Sequence, residues 1–120
     1  MLADNFELAR RYWPLFEPVM EPGESLLTAS AAIYVELSER LGKAFGDGTI
    51  GLTDRRFIHL GLQIGGLFLQ RSDIKSVERN WIALPASRKL TIRALDGSAL
   101  KTHTFYCGTG FSKDIVRLLS

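Results

Sequence analysis

The feature of the sequence that most constrains the fold is a series of short β-like runs that begins after Ser25. Turn-forming residues separate these runs at short intervals, which is typical of a β-rich domain. Seven runs are predicted to be strands, and residues 41–48, which include three glycines, are predicted to be a loop. The predicted strands cover residues 26–37, 49–53, 56–63, 67–71, 75–84, 89–95 and 100–107.

The chain closes with an amphipathic segment over residues 112–119, for which Ser112 is the predicted N-cap. Its apolar positions share one helical face, and they are Phe111, Ile115, Leu118 and Leu119. Seven strands followed by one such helix predict a mainly β (α+β) fold. We expect a bent antiparallel sheet or partly open barrel of about seven strands, capped by the C-terminal helix.

A further helix is predicted near the N-terminus, where Asp4 and Glu7 have the spacing of a capping box. Its apolar face consists of Phe6, Ala9, Trp13 and Phe16. Pro14 predicts that this helix ends or kinks near Trp13. Residues 1–23 are therefore expected to be a helical arm with a linker, and residues 24–120 the β-rich domain. Because so short a helix is marginal alone, the arm should dock either on its own sheet or on a neighbouring chain.

One predicted hairpin decides which side chains face the core. If Gly65 and Gly66 form a two-residue turn, Leu62 lies opposite Leu69. Strand alternation then gives the core face Ile58, Leu60, Leu62, Ile64, Leu67 and Leu69. It gives the other face Phe57, His59, Gln63, Phe68 and Gln70.

A second hairpin, around Asp96 and Gly97, has two possible registers. A two-residue turn would select Phe105 for the core face, whereas a three-residue turn would select Tyr106. The sequence leaves both registers open.

Two segments resemble a known family. They are residues 48–58, GTIGLTDRRFI, and residues 69–78, LQRSDIKSVE. A strand pair with the pattern G-x-L-x-L-T-x-x-R, followed by an apolar run and D-I-x-S-V, occurs in GRAM and bacterial pleckstrin-homology-like (PH-like) domains. The resemblance covers about residues 24–119 and implies the PH-like fold. Bacterial members of the family tend to self-assemble, so the resemblance also implies an oligomer.

The residues that usually carry catalysis are few. His59 and His103 are the only histidines, and Cys107 is the only cysteine. No P-loop, H-E-x-x-H, C-x-x-C or G-x-S-x-G pattern occurs. A metal site built on the two histidines would need further ligands that the sequence does not suggest, and Cys107 is interpreted as a small apolar residue at a strand end. We therefore predict no enzymatic activity, no metal and no cofactor.

Charge is unevenly distributed along the chain. Residues 1–24 carry five acidic and two basic residues, whereas residues 49–120 carry eleven basic and five acidic residues; the net charge is +2. This asymmetry indicates an anionic partner or docking of one part of the chain on another. The N-terminus lacks the basic-then-apolar order of a signal peptide, and no run of about 18 apolar residues occurs. We expect a cytoplasmic location, with peripheral membrane contact as an option.

An anionic lipid surface is one predicted partner. PH domains that bind phosphoinositides usually carry clustered bases between their first two strands, but residues 36–47 hold only Arg40 and Lys43 against three acids. Phe45 could still enter a membrane interface beside Lys43. Five more bases are predicted to form an outward stripe on the later strands: Arg79, Arg88, Lys89, Arg93 and Lys101. Because few aromatic residues lie among these bases, nucleic acid is disfavoured.

Surplus apolar residues predict a protein partner. The five residues from Trp81 to Pro85 are consecutive and apolar, so they cannot all point inward. The predicted interface anchors are Trp13, Phe16, Phe57, Phe68 and Trp81. The leading hypothesis is a non-catalytic interaction module that acts through protein–protein contact, including a homo-oligomer. The alternative is a peripheral membrane adaptor.

Overall fold

The computed structural model describes residues 2–38, 42–61, 66–81 and 87–119, and the side chains of residues 2–7, 36–38 and 42–46 lie outside that description. The helices are α1 (Leu2–Phe16) and α2 (Thr109–Leu119), with short 3-10 helices at Glu17–Val19 and Arg71–Asp73. The strands are β1 (Leu26–Ser38), β2 (Gly42–Thr53), β3 (Arg56–Gly61), β4 (Leu67–Gln70), β5 (Ile74–Trp81), β6 (Ser87–Asp96) and β7 (Ala99–Gly108).

The strands form one antiparallel sheet in the order β4-β3-β2-β1-β7-β6-β5. We call the side that packs on α2 the inner face and the opposite side, which packs on α1, the outer face. Phe111 and Ile115 of α2 are buried in the inner core, and Leu118 and Leu119 pack against it. The prediction of a mainly β fold capped by the C-terminal helix is confirmed.

The first two strands form a longer hairpin than the sequence predicted. Residues 41–48 were expected to form a loop, but β2 already begins at Gly42 and pairs with β1 from Ser38 to Leu26. Gly48, the last of the three glycines, marks a close approach between strands and not a break. A Cβ on Gly48 would collide with the carbonyl oxygen of Leu60 and crowd the ring of His59, so only glycine fits there.

The predicted register of β3 and β4 is wrong. Phe57 and not Leu62 lies opposite Leu69, and His59 lies opposite Leu67. The observed pairing is shifted by five residues from the predicted one. Because five is an odd number, every side chain of β3 lies on the face opposite to the predicted one. The physical reason is that β3 already ends at Gly61 and the chain crosses to β4 through a longer connection. Residues 62–65, on which the predicted turn depended, lie outside the described part.

The β6–β7 hairpin adopts the two-residue turn. Asp96 pairs with Ala99, and Gly97 has a φ of +64°, a conformation that glycine adopts at little cost. This register places Phe105 opposite Leu90 on the inner face, where both side chains are fully buried. Tyr106 therefore falls on the outer face.

The C-terminal helix begins three residues earlier than predicted. α2 starts at Thr109, so Ser112 lies in the first turn and is not the N-cap. The Ser112 hydroxyl is buried, donates a hydrogen bond to the carbonyl oxygen of Thr109 and accepts one from Nε of Arg79. This polar contact attaches the start of α2 to β5.

The N-terminal helix docks on the sheet of its own chain. It continues through Pro14 to Phe16 and so does not end at Trp13. Phe16 is fully buried on the outer face, packed with Ala29 and Ile58. A Cβ on Gly51 would lie 2.9 Å from the Phe16 ring, so this glycine opens the space that the ring fills. Burial of Phe16 offsets the backbone hydrogen bond that Pro14 cannot donate.

A buried ion pair holds the linker after α1 to β3. Nε of Arg56 donates to a Glu24 carboxylate oxygen at 2.9 Å, and Thr53 Oγ1 donates to the same oxygen at 2.6 Å. Arg56 also donates to the carbonyl oxygen of Val19 at 2.9 Å. The hydrogen bond from Arg56 is the main cause that lowers the pKa of Glu24 to about 2, with further lowering by the backbone N–H of Glu21 and by Thr53, against the opposing effect of burial.

We predict that Glu24→Gln lowers the free energy of unfolding by about 3 kcal/mol at neutral pH, because the buried Arg56 guanidinium then keeps only the more distant carboxylate of Glu21, 3.9 Å away. The folded-state pKa is depressed, so this stabilisation exists above 4.5 and is lost as the pH falls from 4.5 toward 2. Urea denaturation over this pH range measures both effects. The control is Glu21→Gln, since Glu21 is half-exposed and should contribute less than about 1 kcal/mol. Equal losses in both variants would contradict the prediction.

Candidate interaction surface

Two of the five predicted interface anchors are part of the core. Phe16 and Phe57 are both fully buried, so the prediction that they meet a partner is wrong. Phe57 turned inward because the β3 register differs from the predicted one, and it packs at 5.3 Å from the ring of Phe105. Phe16 is enclosed because Gly51 leaves room beneath α1. Neither side chain is available for contact with another molecule.

The other three predicted anchors are exposed at the surface. Trp13 is 37% exposed, Phe68 44% and Trp81 74%. Phe68 lies on the outer face of β4, where the Arg56 guanidinium carbon stands 5.3 Å from its ring centroid in a cation–π arrangement. Trp81 ends β5 and lies directly opposite Arg88. The residues after Trp81 in the predicted apolar run, 82–85, lie outside the described part of the chain.

The predicted basic stripe does not form one outward surface. Arg79 pairs with Leu90 and therefore lies on the inner side, bonded to Ser112. Arg93 forms an ion pair with Glu78 at 3.2 Å, and Lys101 forms one with Asp96 at 2.6 Å. The prediction of a stripe is wrong because acids on neighbouring strands neutralise two of its bases and alternation places two others, Arg79 and Arg88, on the inner side of the sheet.

Two bases of the predicted stripe have no acidic partner within the described ranges, and they are Arg88 and Lys89. Among the described residues, the one hydrogen bond of the Arg88 side chain is a donation to the carbonyl oxygen of Ser87. As successive residues of β6, the two bases point to opposite sides of the sheet. The side chains of Lys43 and Phe45, the other predicted lipid contacts, lie outside the description. Arg88 and Lys89 therefore place positive charge at the start of β6, next to Trp81.

Both histidines lie at one end of the inner face, on either side of Tyr34. The Tyr34 ring stacks on His59 with centroids 5.3 Å apart, and its hydroxyl lies 3.3 Å from Nδ1 of His103. His59 was predicted on a solvated strand face, but it is 3% exposed, and its Nε2 has no hydrogen-bond partner in the described structure. Burial lowers the pKa of both imidazoles, so they are neutral at physiological pH.

Cys107, the only cysteine of the sequence, is buried as well. Burial raises the pKa of the Cys107 thiol to about 12, so its nucleophilic thiolate is not formed at neutral pH. No His, Cys, Asp or Glu groups of three or more come together as a metal site among the residues described. The Tyr34–His59–His103 cluster was missed from the sequence because only the observed register of β3 brings His59 inward.

The structure contains a surface groove with a volume of ≈ 730 Å³. It lies on the outer face beside α1. Leu15 of α1 and outward side chains of the sheet line it: Ala31, Ile33, Asp47, Thr49, Leu60 and Tyr106. We call it the outer groove. Small residues keep its floor low, and sequence reasoning missed it because it depends on which part of the outer face α1 covers.

Solved structures resemble this fold. The chain superposes on the "Vps36 N-terminal PH domain" with a TM-score of 0.61 and 21% identity over 83% of this chain and 82% of that one. It also superposes on the C-terminal domain of an unknown protein from Leishmania infantum, with a TM-score of 0.64 and 14% identity over 92% and 93% of the two chains. These likenesses establish a PH-like fold. No protein-family model and no curated protein matches the sequence.

Within the described ranges, neither helix combines the length and apolar character that crossing a membrane requires.

We predict opposite outcomes for two phenylalanines that the sequence assigned to one face. Phe57→Ala should lower the free energy of unfolding by about 3–5 kcal/mol, because it opens a cavity in the inner core. Phe68→Ala should lower it by less than about 1 kcal/mol, because nearly half of the residue's surface is exposed. Chemical denaturation of both variants tests the register, and similar losses would contradict it.

A pH dependence should follow from the buried histidines. Their folded-state pKa values lie below 6.5, so the unfolded chain binds more protons, and stability should fall as the pH drops below 6.5. His59→Phe keeps an aromatic ring beside Tyr34 and removes one titrating group. The free energy of unfolding, measured from neutral pH to about one unit below 6.5, should therefore fall less steeply in this variant. An unchanged slope would show that His59 is not buried.

Proposed function

We propose that this chain is a non-catalytic PH-like interaction module that acts through protein–protein contact, including self-association. PH-like domains generally bind proteins or lipids, and a fold alone does not choose between the two. The observation that carries the proposal is the exposure of large aromatic side chains, above all Trp81 at 74%. Tryptophan at this exposure is unfavourable in water, and Trp is enriched at the centres of protein interfaces.

The anchors in this proposal are Trp13, Phe68 and Trp81. They stand on three different elements, α1, β4 and β5, so the module has more than one apolar contact point. A cytoplasmic setting is part of the proposal, since its one cysteine is a free, buried thiol. The partners are proteins, with a second copy of the chain first among them.

The membrane alternative has less support. Arg93 and Lys101 have acidic partners, and Arg79 is turned to the inner side. Of the predicted stripe only Arg88 and Lys89 remain for an anionic lipid surface, and each exposed base adds only about 1 kcal/mol to such binding. Strong, salt-sensitive co-sedimentation with phosphatidylserine vesicles would reverse this preference.

Self-association should be visible as a mass that rises with concentration above the 13.4 kDa of one chain. Sedimentation equilibrium from micromolar to millimolar protein measures it. The triple variant Trp13→Ala, Phe68→Ala, Trp81→Ala should lose most of the concentration dependence. Leu100→Ala is the matched control, because Leu100 is 55% exposed and apolar but is not a proposed anchor. A wild-type chain that stays monomeric over the whole range would overturn the self-association.

A further inference from the structure

The floor of the outer groove is built on one row of paired residues. The pairing runs from Gly61 to Gly48, from Gly48 to Ala32 and from Ala32 to Cys107, and all four residues line the groove. Ala32 and Cys107 direct their side chains into the inner core, so they present backbone to the groove. The groove is low here because no side chain rises from this row on the outer face.

The same row leads to the edge of the sheet. It continues from Cys107 to Arg88 and from Arg88 to Trp81. Side chains two residues apart in a strand point to the same face. Trp81 follows Arg79 by two residues, so its side chain also lies on the inner side. Arg79 contacts the first turn of α2, whereas Trp81 lies beyond that contact and is uncovered. The groove and the indole ring are thus on opposite sides of one sheet.

The side chain of Trp81 projects from the edge of the sheet, and we call it the knob. β5 is the last strand in the sheet order, and Trp81 is its last residue and the most exposed large apolar side chain of the described structure. Its cross-strand neighbour Arg88 lies on the same side of the sheet. The knob and Arg88 therefore present an indole ring and a guanidinium on neighbouring strands. Trp and Arg are two of the residues most often found at interface hot spots.

The outer groove has the complementary character. Its walls are apolar, from Leu15, Ile33 and Leu60, and its volume of ≈ 730 Å³ falls in the range of cavities that enclose whole ligand groups. One carboxylate lies on its lining, Asp47, which is exposed and has no ion-pair partner in the described part of the chain. Arg88 likewise has no acidic partner there. The apolar walls of the groove therefore suit the indole ring of the knob, and its carboxylate suits the positive charge of Arg88.

We propose that copies of the chain associate head to tail, with Trp81 of one copy in the outer groove of the next and Arg88 paired with Asp47 of that next copy. Because knob and groove lie on opposite sides of the sheet, each copy can give one such contact and receive another, which is a heterologous interface. Association therefore continues past two copies, into a ring or an open chain. This inference rests on the proposed self-association and names the surfaces that carry it.

A charge-exchange experiment tests the proposed pairing. Asp47→Arg brings its new guanidinium against that of Arg88 in the adjoining copy, and Arg88→Glu brings its new carboxylate against that of Asp47. Each variant alone should associate at least about tenfold more weakly than wild type, because like charges then meet at every contact. An equimolar mixture of the two should associate again, since every contact between unlike variants joins opposite charges.

Removal of the knob tests the direction of the contact. Trp81→Ala should raise the dissociation constant at least about thirtyfold, because it deletes the anchor. The variant keeps its groove, so one equivalent added to wild-type chain should cap the growing assembly and lower its average mass. Leu100→Ala is the apolar control, and its mixture with wild-type chain should have the same average mass as wild-type chain alone at the same total concentration. Arg11→Glu, at an exposed site on α1, is the charge control.

Sedimentation equilibrium and velocity measure these masses, with one variant of each mixture carrying a fluorescent label. Thermal unfolding of every variant checks that the fold is kept. The proposal expects wild-type masses that exceed two copies at high concentration. A wild-type chain that stops at two copies would overturn the head-to-tail contact, as would a mixture of the charge variants that fails to associate.

The remaining outcomes separate this contact from the broader proposal. If the wild-type chain associates but Trp81→Ala leaves the dissociation constant unchanged, the knob-and-groove contact is wrong and self-association rests on other surfaces. If the wild-type chain is monomeric throughout, both the knob-and-groove contact and self-association are wrong. Restored association in the mixture, together with capping by Trp81→Ala, supports the pairing of Arg88 with Asp47.

Discussion

The buried ion pair between Glu24 and Arg56 is the contact on which the arrangement of the outer face depends. A carboxylate and a guanidinium lose hydration when buried, and this loss is offset only if their other hydrogen-bonding atoms also find partners. Here Thr53 and the carbonyl oxygen of Val19 supply them. Because these groups come from the linker after α1 and from the β2–β3 hairpin, the network fixes where the helix meets the sheet.

The position of α1 then determines which part of the outer face remains open. Phe16 enters the space above Gly51 and covers Ala29 and Ile58. Two residues further along the strands, Ala31 and Thr49 are not covered, and Leu15 forms a wall instead of a lid. Because α1 covers only part of the outer face, an apolar groove remains beside the helix. The groove is thus a consequence of how α1 docks and not of a separate binding motif.

Much of the architecture could be predicted from the sequence. The number of strands, their antiparallel arrangement and the capping role of Ile115 and Leu118 follow from turn spacing and from one amphipathic face, which are local properties. Registers are not local. The β3 and β4 segments contain apolar residues on both faces, so alternation does not show which face packs on the core. The length of the connection between the two strands sets their register and therefore the core face. The errors at Phe57 and His59 both come from this source.

The interaction surface was the hardest part to predict because it is defined by what neighbouring elements leave uncovered. Trp13, Phe68 and Trp81 were identified by their apolar character alone, and Phe16 has the same character but is buried. Charge shows the same limit: Arg88 and Arg93 are alike in the sequence, yet only Arg93 has an acid within reach on β5. A side chain's availability depends on its neighbours across the sheet, so composition can nominate contact residues but only pairing can select among them. In this fold the selection falls on the end of β5, where an indole ring and a base without an acidic partner in the described ranges lie side by side.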